Sequence, residues 1–449
     1  VTSSPVISST LAEPLNWSKS MVQRARGHQE LVFTSGLNGL EITARSRKQI
    51  EISTGERLTE FLSCSYLGLE SDARLVESAV AALRRFGVQF AAARSRASVS
   101  PAHEYDELLS TLFGGKTITF NSVTNAHLGI LPLLASGELP SYPLGPAGPV
   151  WILDKAAHAS MQILQGIIRQ FGSLVRLPIN QVGEVEAACA TAAARGATPI
   201  VLTDTVGSMQ GLYPVRELFR IVERHGGYLY ADDAHGTSIH GPRGAGYAVA
   251  ESDGRLHPNL ILLSSLSKGF GATGGAVTAP AQRDAEMIRR HCSTYIFGGP
   301  LSLGGVAAGV ASARIHLSSE IEELQQRLWK NVASIDSLLG PELGNHHIAS
   351  PIRFIRVGDE QQAIRLALAL RKDRFAVTTA MFPAVPRGQA ILRLALSAAH
   401  RPEELVGLAG AVRRAREESC CARLIDRGAQ GVEHAVAEED PLRTNRGSQ

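Results

Sequence analysis

Five cysteines in 449 residues, with no CxxC pair among them, imply neither a disulfide framework nor a zinc site. Cys64, Cys189, Cys292, Cys420 and Cys421 are expected as reduced thiols of a cytoplasmic protein. Excess charge is also missing. The 45 basic and 42 acidic residues leave only +3, and the arginines form no stripe. Neither nucleic acid nor an anionic membrane is therefore expected as a partner. No apolar run reaches the ~18 residues of a membrane span. The stretch VTSSPVISSTLAEP has neither a basic nor an apolar region, so no secretory signal is expected. No internal repeat is visible. What is present is a chain with 44% hydrophobic residues and 43 glycines, long enough for two or three structural units.

Short β-branched or aromatic runs punctuate the first 300 positions. TITF (117–120), VWILD (150–154), PIVLTD (199–204), YLYADD (228–233) and LILLSSL (260–266) read as buried strands. Between the third and fourth lies PVRELFRIVERHGG. Its Leu218, Phe219 and Val222 form an apolar stripe, Pro214 suits the first helical position, and Gly226 suits the residue after the cap. Strand, helix and strand at this spacing predict a mostly parallel α/β sheet, with chemistry at the carboxyl ends of its strands. Residues 305–335 read as one long helix. PIRFIRV, FAVTTA and AILRLAL then read as strands of a smaller C-terminal α/β unit. The expected divisions are 1–55, an N-terminal segment; 56–305, the large domain; 306–425, the small domain; and 426–449, a mobile tail. GELPSYPLGPAGP, 137–149, with four prolines and three glycines, reads as a loop.

DDAHGTSIHG (232–241) sets two acids directly after an apolar strand, where an uncompensated charge pair costs several kcal/mol. The sequence SSLSKGFGATGG places Lys268 after another buried strand, among serines and glycines. A buried lysine loses proton affinity and becomes a nucleophile fit for a Schiff base, although a strand-end lysine reaching water is the plainer reading. GFGATG (269–274) satisfies the dinucleotide pattern GxGxxG, but a strand follows it, and no acid stands about 20 residues on. His235 and His240 with the two acids mimic a metal site that no further ligand cluster supports. Asp232 and Lys268, one βαβ step apart, instead match the needs of pyridoxal 5′-phosphate (PLP). The lysine holds its aldehyde, and the acid keeps its pyridine nitrogen protonated.

The motifs SYLGL (65–69), HAS (158–160), TDTVGSMQG (203–211), DDAHGT (232–237), SLSKGFG (265–271) and LRLALSAAH (392–400) together resemble the α-oxoamine synthases, PLP enzymes of fold type I. The resemblance covers about 55–415. It implies a fold-type-I PLP transferase with a mostly parallel sheet, acting as a homodimer with shared active sites. The reaction it implies joins an α-amino acid to an acyl thioester (acyl-CoA or acyl-carrier protein) and releases CO2 and thiol. In that scheme Lys268 carries the cofactor and Asp232 pairs with its pyridine nitrogen, with Asp233 in support. His158 stacks on the ring, while His235 and Ser208 approach its phenolic oxygen. Val123, Thr124 and Ser265 take the phosphate, and Arg393 clamps the substrate carboxylate. Plainer readings are open for several: core histidines, a turn cap at Ser208, a structural Arg393.

Departures from the family pattern stand out. Cys64 replaces an asparagine that contacts the amino-acid carboxylate, Gly298 and Gly299 replace a hydroxyl-bearing pair that reaches the phosphate across the dimer, and Ala384 replaces a threonine. Cofactor affinity is therefore expected to be modest, with Gly299→Thr improving it if the donor geometry survives. The 137–149 loop is expected near the thioester entrance. Transamination, simple decarboxylation and a non-catalytic partner subunit are the alternatives.

Overall fold

A computed structural model describes residues 30–418 except Gln210 and Pro383, together with Gln23, Arg26 and Gly27. Cys420, Cys421 and the 426–449 tail lie outside the described residues; Cys64, Cys189 and Cys292 are free thiols. The first strands, β1 (Ile42–Ser46), β2 (Gln49–Ile52) and β3 (Arg57–Glu60), form an antiparallel meander. The central sheet is built from β4 (Lys116–Phe120), β5 (Pro149–Asp154), β6 (Ser173–Leu177) and β7 (Thr198–Asp204). A small hairpin, β8 (Val206–Gly207) and β9 (Gly211–Leu212), interrupts before β10 (Tyr228–Asp232), β11 (Leu260–Ser265) and β12 (Gly275–Ala279) complete the sheet. Its order is β4-β12-β11-β10-β7-β5-β6, with only β12 antiparallel to its neighbours.

The apolar runs are continuous because both faces of this sheet are covered, as parallel sheets require. Successive side chains alternate between two cores. Ile152, Val201, Leu229 and Leu262 enter one with Tyr105, Leu218 and Phe270; Trp151, Ile200, Tyr230 and Leu263 enter the other with Ile130 and Leu134. GAVTA continues as β12 rather than as a helix, so the glycines of 269–274 open no dinucleotide-binding turn.

Three expectations about elements need correction. Pro214 is the N-cap of helix Val215–Arg224, one position earlier than expected; Gly226 does follow the helix at φ 61°. The long helix at 305–335 is two helices, Leu303–His316 and Glu320–Leu339. Ser318 breaks it: its hydroxyl donates to Ile315 O (2.8 Å) and accepts from Glu320 N (3.3 Å), offering the backbone a turn instead of a ladder. FAVTTA is also divided. After β13 (Ile352–Gly358), β14 (Phe375–Ala376) pairs in parallel with β3, whereas β15 (Thr378–Ala380) pairs with β16 (Ala390–Ala395) in a β13-β16-β15 sheet. One core joins Phe61, Tyr66 and Leu67 to Leu328, Leu370, Leu392 and Leu405, so both ends of the described chain build the smaller unit.

The proline-rich loop lies at the wrong end of the sheet for the expected role. Gly145 N donates to Thr198 Oγ1 (2.8 Å), Tyr142 Oη to Leu260 O (2.6 Å), and Tyr228 Oη to Pro143 O (2.8 Å). Thr198, Tyr228 and Leu260 begin β7, β10 and β11. The loop therefore closes the amino edge of the sheet, as any segment leading directly into a parallel strand must.

Candidate active site

At the opposite edge, strand ends converge on a cavity of about 170 Å3. Helix Val123–Ala135 starts there, capped by Ser122, whose hydroxyl accepts from Asn125 N (3.1 Å). Gly275 on β12 lies so close that a Cβ would stand 2.4 Å from Val123 N. The free N–H groups of that first turn, which would favour an anion, lie beside Ser265 and Ser267, whose hydroxyls are 3.1 Å apart. Of the sequence-predicted residues, Val123, Thr124, His158, Asp232, His235, Ser265 and Lys268 line the cavity. Cys64, Ser208 and Arg393 are not among its lining residues.

Asp232 ends β10 in full burial. Its Oδ1 accepts from Ala234 N (3.0 Å), and its Oδ2 faces His127 Nε2 at 3.1 Å. Because a carboxylate only accepts, His127 Nε2 carries the hydrogen, and Nδ1 lies 3.0 Å from Tyr230 Oη. Burial opposes ionisation of Asp232, but the His127 hydrogen bond and nearby Lys268 outweigh it and hold the carboxyl below its ordinary range. The reverse holds for Asp204 at the end of β7: burial, then Asp232 opposite it, push its carboxyl well up. Asp204 Oδ2 accepts from His158 N at 2.8 Å, and His158 Nδ1 lies 2.9 Å from Ser160 Oγ. Burial depresses His158.

Asp233 turns away from the cavity. Its Oδ1 is bonded to the Thr205 hydroxyl, and its Oδ2 occupies the place a Gly246 Cβ would need. Burial raises this carboxyl to about 8, so it is protonated at neutral pH.

Lys268 Nζ lies 2.9 Å from His235 Nε2, and His235 Nδ1 lies 2.6 Å from Tyr66 Oη. Burial lowers the lysine's proton affinity against Asp232, Cys64 and Asp204, and drives His235 well below its usual range. Arg393 Nη2 lies 3.5 Å from Cys64 Sγ, while Arg393 Nε donates to Ser208 O (3.2 Å). Ser208 thus meets Arg393 through its carbonyl. His235 and His240 diverge, His240 Nε2 sitting 3.1 Å from Ala349 O, and among the described residues no metal-holding cluster exists.

Sequence reasoning missed His127 and gave Tyr66 no role. His127 had one available signal, its i+4 spacing from Val123 on the helix after β4, which puts both on one face. Tyr66 had none, since the imidazole it meets, His235, lies 169 residues away. At the glycine pair, Asn121 Nδ2 donates to Gly298 O (2.8 Å). A Gly298 Cβ would stand 2.3 Å from Thr294 O, and Gly299 has φ 82°. Neither position accepts a hydroxyl side chain without strain, so Gly299→Thr carries a backbone cost.

A family profile, "Aminotransferase class I and II", matches residues 59–412. The 8-amino-7-oxononanoate synthase of Anaeromyxobacter dehalogenans is 32% identical over 370 residues, 80% of this chain and 86% of that one. The 2-amino-3-ketobutyrate coenzyme A ligase of Salmonella typhimurium is 26% identical over 81% of this chain and 89% of its own. A high-resolution structure of SPT with PLP superposes with a TM-score of 0.78 at 25% identity, covering 90% of this chain and 98% of the other. This chain belongs to the aminotransferase class I and II family, in its α-oxoamine synthase branch of PLP-dependent enzymes.

Proposed function

We propose that this protein joins an α-amino acid to an acyl thioester, acyl-CoA or acyl-carrier protein, giving an α-aminoketone, CO2 and free thiol. The observation that supports it most is the gathering of Lys268, an amine of lowered basicity, with Asp232, His158 and His235 around one cavity at a helix start. PLP, when bound, supplies an aldehyde for amines and a ring that accepts electrons. The residues present fit that group: an ionised acid, an amine of lowered basicity, and a glycine-floored helix start with no room for a Cβ. Lys268 would hold the aldehyde carbon, Asp232 the pyridine N–H, and Val123, Thr124 and Ser265 the phosphate. His158 would cover the ring face, with His235 beside the phenolic oxygen.

Lys268, once displaced by the substrate amine, takes the Cα proton on Nζ as general base. Arg393 holds the substrate carboxylate with its planar donors. His127 keeps Asp232 oriented and ionised. Free thiols at Cys64, Cys189 and Cys292 suit a reducing cytoplasm.

A homodimer belongs to the same proposal. Val76, Val80 and Leu83 stand exposed along one helix face, and Val88, Phe90 and Phe297 add apolar surface, Val88 and Phe297 being 82% and 80% exposed. Leu83 lies under Gly304, and Phe90 shares a pocket with Pro300 and Leu301, so these side chains lie near the glycine pair. A second copy covering them would bring its own residues to the phosphate.

The test is thiol release from a panel of acyl thioesters with each amino acid. Amino-acid-dependent thiol release with CO2 is expected. Keto-acid or CO2 formation without thiol would assign transamination or decarboxylation instead.

A further inference from the structure

Tyr66 shares the core of the smaller unit with Phe61 and Leu67, and no part of it is exposed. Its backbone is pinned on both sides. Tyr66 N donates to Cys64 O (2.9 Å), Ala398 N to Tyr66 O (2.8 Å), and Ser397 Oγ to Ser65 O (2.6 Å). Glu60 Oε2 fixes the preceding turn by accepting from Leu62 N (2.8 Å) and Ser63 N (2.9 Å). From this fixed base the phenol crosses to the large domain, where its Oη lies 2.6 Å from His235 Nδ1. The other ring nitrogen of His235, Nε2, lies 2.9 Å from Lys268 Nζ, and both residues line the active-site cavity. The tyrosine and histidine rings are tilted by 48° with centroids 6.1 Å apart, so they meet through the hydroxyl and not by stacking.

A neutral imidazole must choose which nitrogen carries its single hydrogen, and the partner of the other nitrogen makes that choice. Burial first, and then Lys268, Arg393 and His158, hold His235 well below its usual range, so the ring is neutral. Burial raises Tyr66 well above its own range, so the phenol keeps its hydrogen. Among the described residues, His235 Nδ1 is the one acceptor in hydrogen-bond geometry with that hydroxyl. A hydrogen on Nδ1 would leave a fully buried phenol donor unpaired. A hydrogen on Nε2 instead lets Tyr66 O–H donate to Nδ1 and satisfies both groups.

Resting on the placing of His235 beside the phenolic oxygen of PLP, we propose that Tyr66 sets the tautomer of His235 and so holds Nε2–H as a fixed donor toward that oxygen. A donor at this point favours the ionised ring oxygen. A bare Nε2 lone pair would repel it and favour the hydroxyl form. Tyr66 is thus a positioning residue that acts through His235. An ammonium at Lys268 would demand the opposite tautomer, because it donates to Nε2. The arrangement therefore belongs to the PLP-loaded protein, in which the lysine amine is engaged by the aldehyde.

The experiment uses PLP-loaded full-length protein without substrates and needs no turnover. Ionisation of the ring oxygen is read as the ratio of the long-wavelength to the short-wavelength absorption band of bound PLP. Tyr66→Phe keeps the aromatic ring and removes the donor, and the ratio is expected to fall about five-fold, the shift that one ordinary net hydrogen bond gives. A ring-fluorinated tyrosine in place of Tyr66, nearly the same size and a stronger donor, is expected to raise the ratio. His235→Asn is expected to lower it, and Tyr66→Phe added to His235→Asn to lower it no further. A fall of the same size with and without His235 overturns the proposal, since Tyr66 would then act by packing and not through the imidazole. An unchanged ratio in Tyr66→Phe overturns it as well. Borohydride trapping keeps the two readings apart. No adduct on Lys268 in the parent protein overturns the cofactor reading itself, whereas a trapped adduct with an insensitive ratio overturns only the role of Tyr66.

Discussion

A carboxylate beside a carboxylate is the arrangement on which the site turns, and the two behave oppositely. Asp232 is ionised by His127, while Asp233 is kept protonated by burial. Asp232→Asn is expected to retain some cofactor but to lose nearly all Cα-proton exchange, whereas Asp233→Asn loses little; equal losses in a tritium-release assay would reverse the assignment. Asp233 also ties stability to pH. Its carboxyl lies at about 8 in the fold against an ordinary 3.8. Between those values the folded state keeps a proton that the unfolded chain has released, so its contribution declines as pH rises from about 4 to about 8. Asp233→Asn has no such proton. Its urea midpoint relative to the parent is expected to climb between pH 5 and pH 8, by up to about 1.4 kcal/mol per unit. Lys268→Ala is expected to cost roughly a thousandfold or more in turnover and to abolish the borohydride-trapped PLP adduct. At the carboxylate end, one charge-assisted hydrogen bond is worth about 1.5–3 kcal/mol. Arg393→Ala should therefore raise the amino-acid KM by about 10- to 100-fold, and Cys64→Ala by far less.

Strand ends and loops carry the next set of consequences. Gly275→Ala would drive a methyl to 2.4 Å from Val123 N, pushing back the helix start proposed to take the phosphate. Fluorescence titration is expected to show weakened PLP binding, with catalytic order otherwise retained. Gly299→Thr is expected to lower stability, because φ 82° is strained for a β-branched residue; a thermal melt showing a gain would contradict this. Trimming 137–149 is expected to destabilise the protein while leaving preference among acyl thioesters unchanged. That loop fastens the amino ends of β7, β10 and β11 and lies across the sheet from Lys268.

For the molecule as a whole, the exposed apolar faces at 76–90 and 297 set the expectation. Sedimentation should give a dimer, and Phe297→Asp should shift it toward monomer with weakened PLP retention. A fully active monomer would contradict the proposal of a phosphate site shared between two copies. The two-sided core is equally testable. Leu262, completely buried between β10 and β12, is expected to cost about 2–5 kcal/mol as Leu262→Ala, read from urea midpoints.

The sequence by itself determined the parallel sheet, because runs such as PIVLTD and YLYADD leave no polar face for solvent. It also determined the Asp232–Lys268 pair, because an acid and a lysine directly after buried strands must meet at one sheet edge. Tertiary structure decided what local pattern does not carry. FAVTTA is one apolar run, yet two different sheets compete for it, and nothing in its own periodicity marks Val377 as the crossing point. His127 and Tyr66 reach Asp232 and His235 only after more than 100 intervening residues have folded. Their function lies in hydrogen-bond partners, and partners are fixed by packing between distant segments rather than by neighbours in the chain.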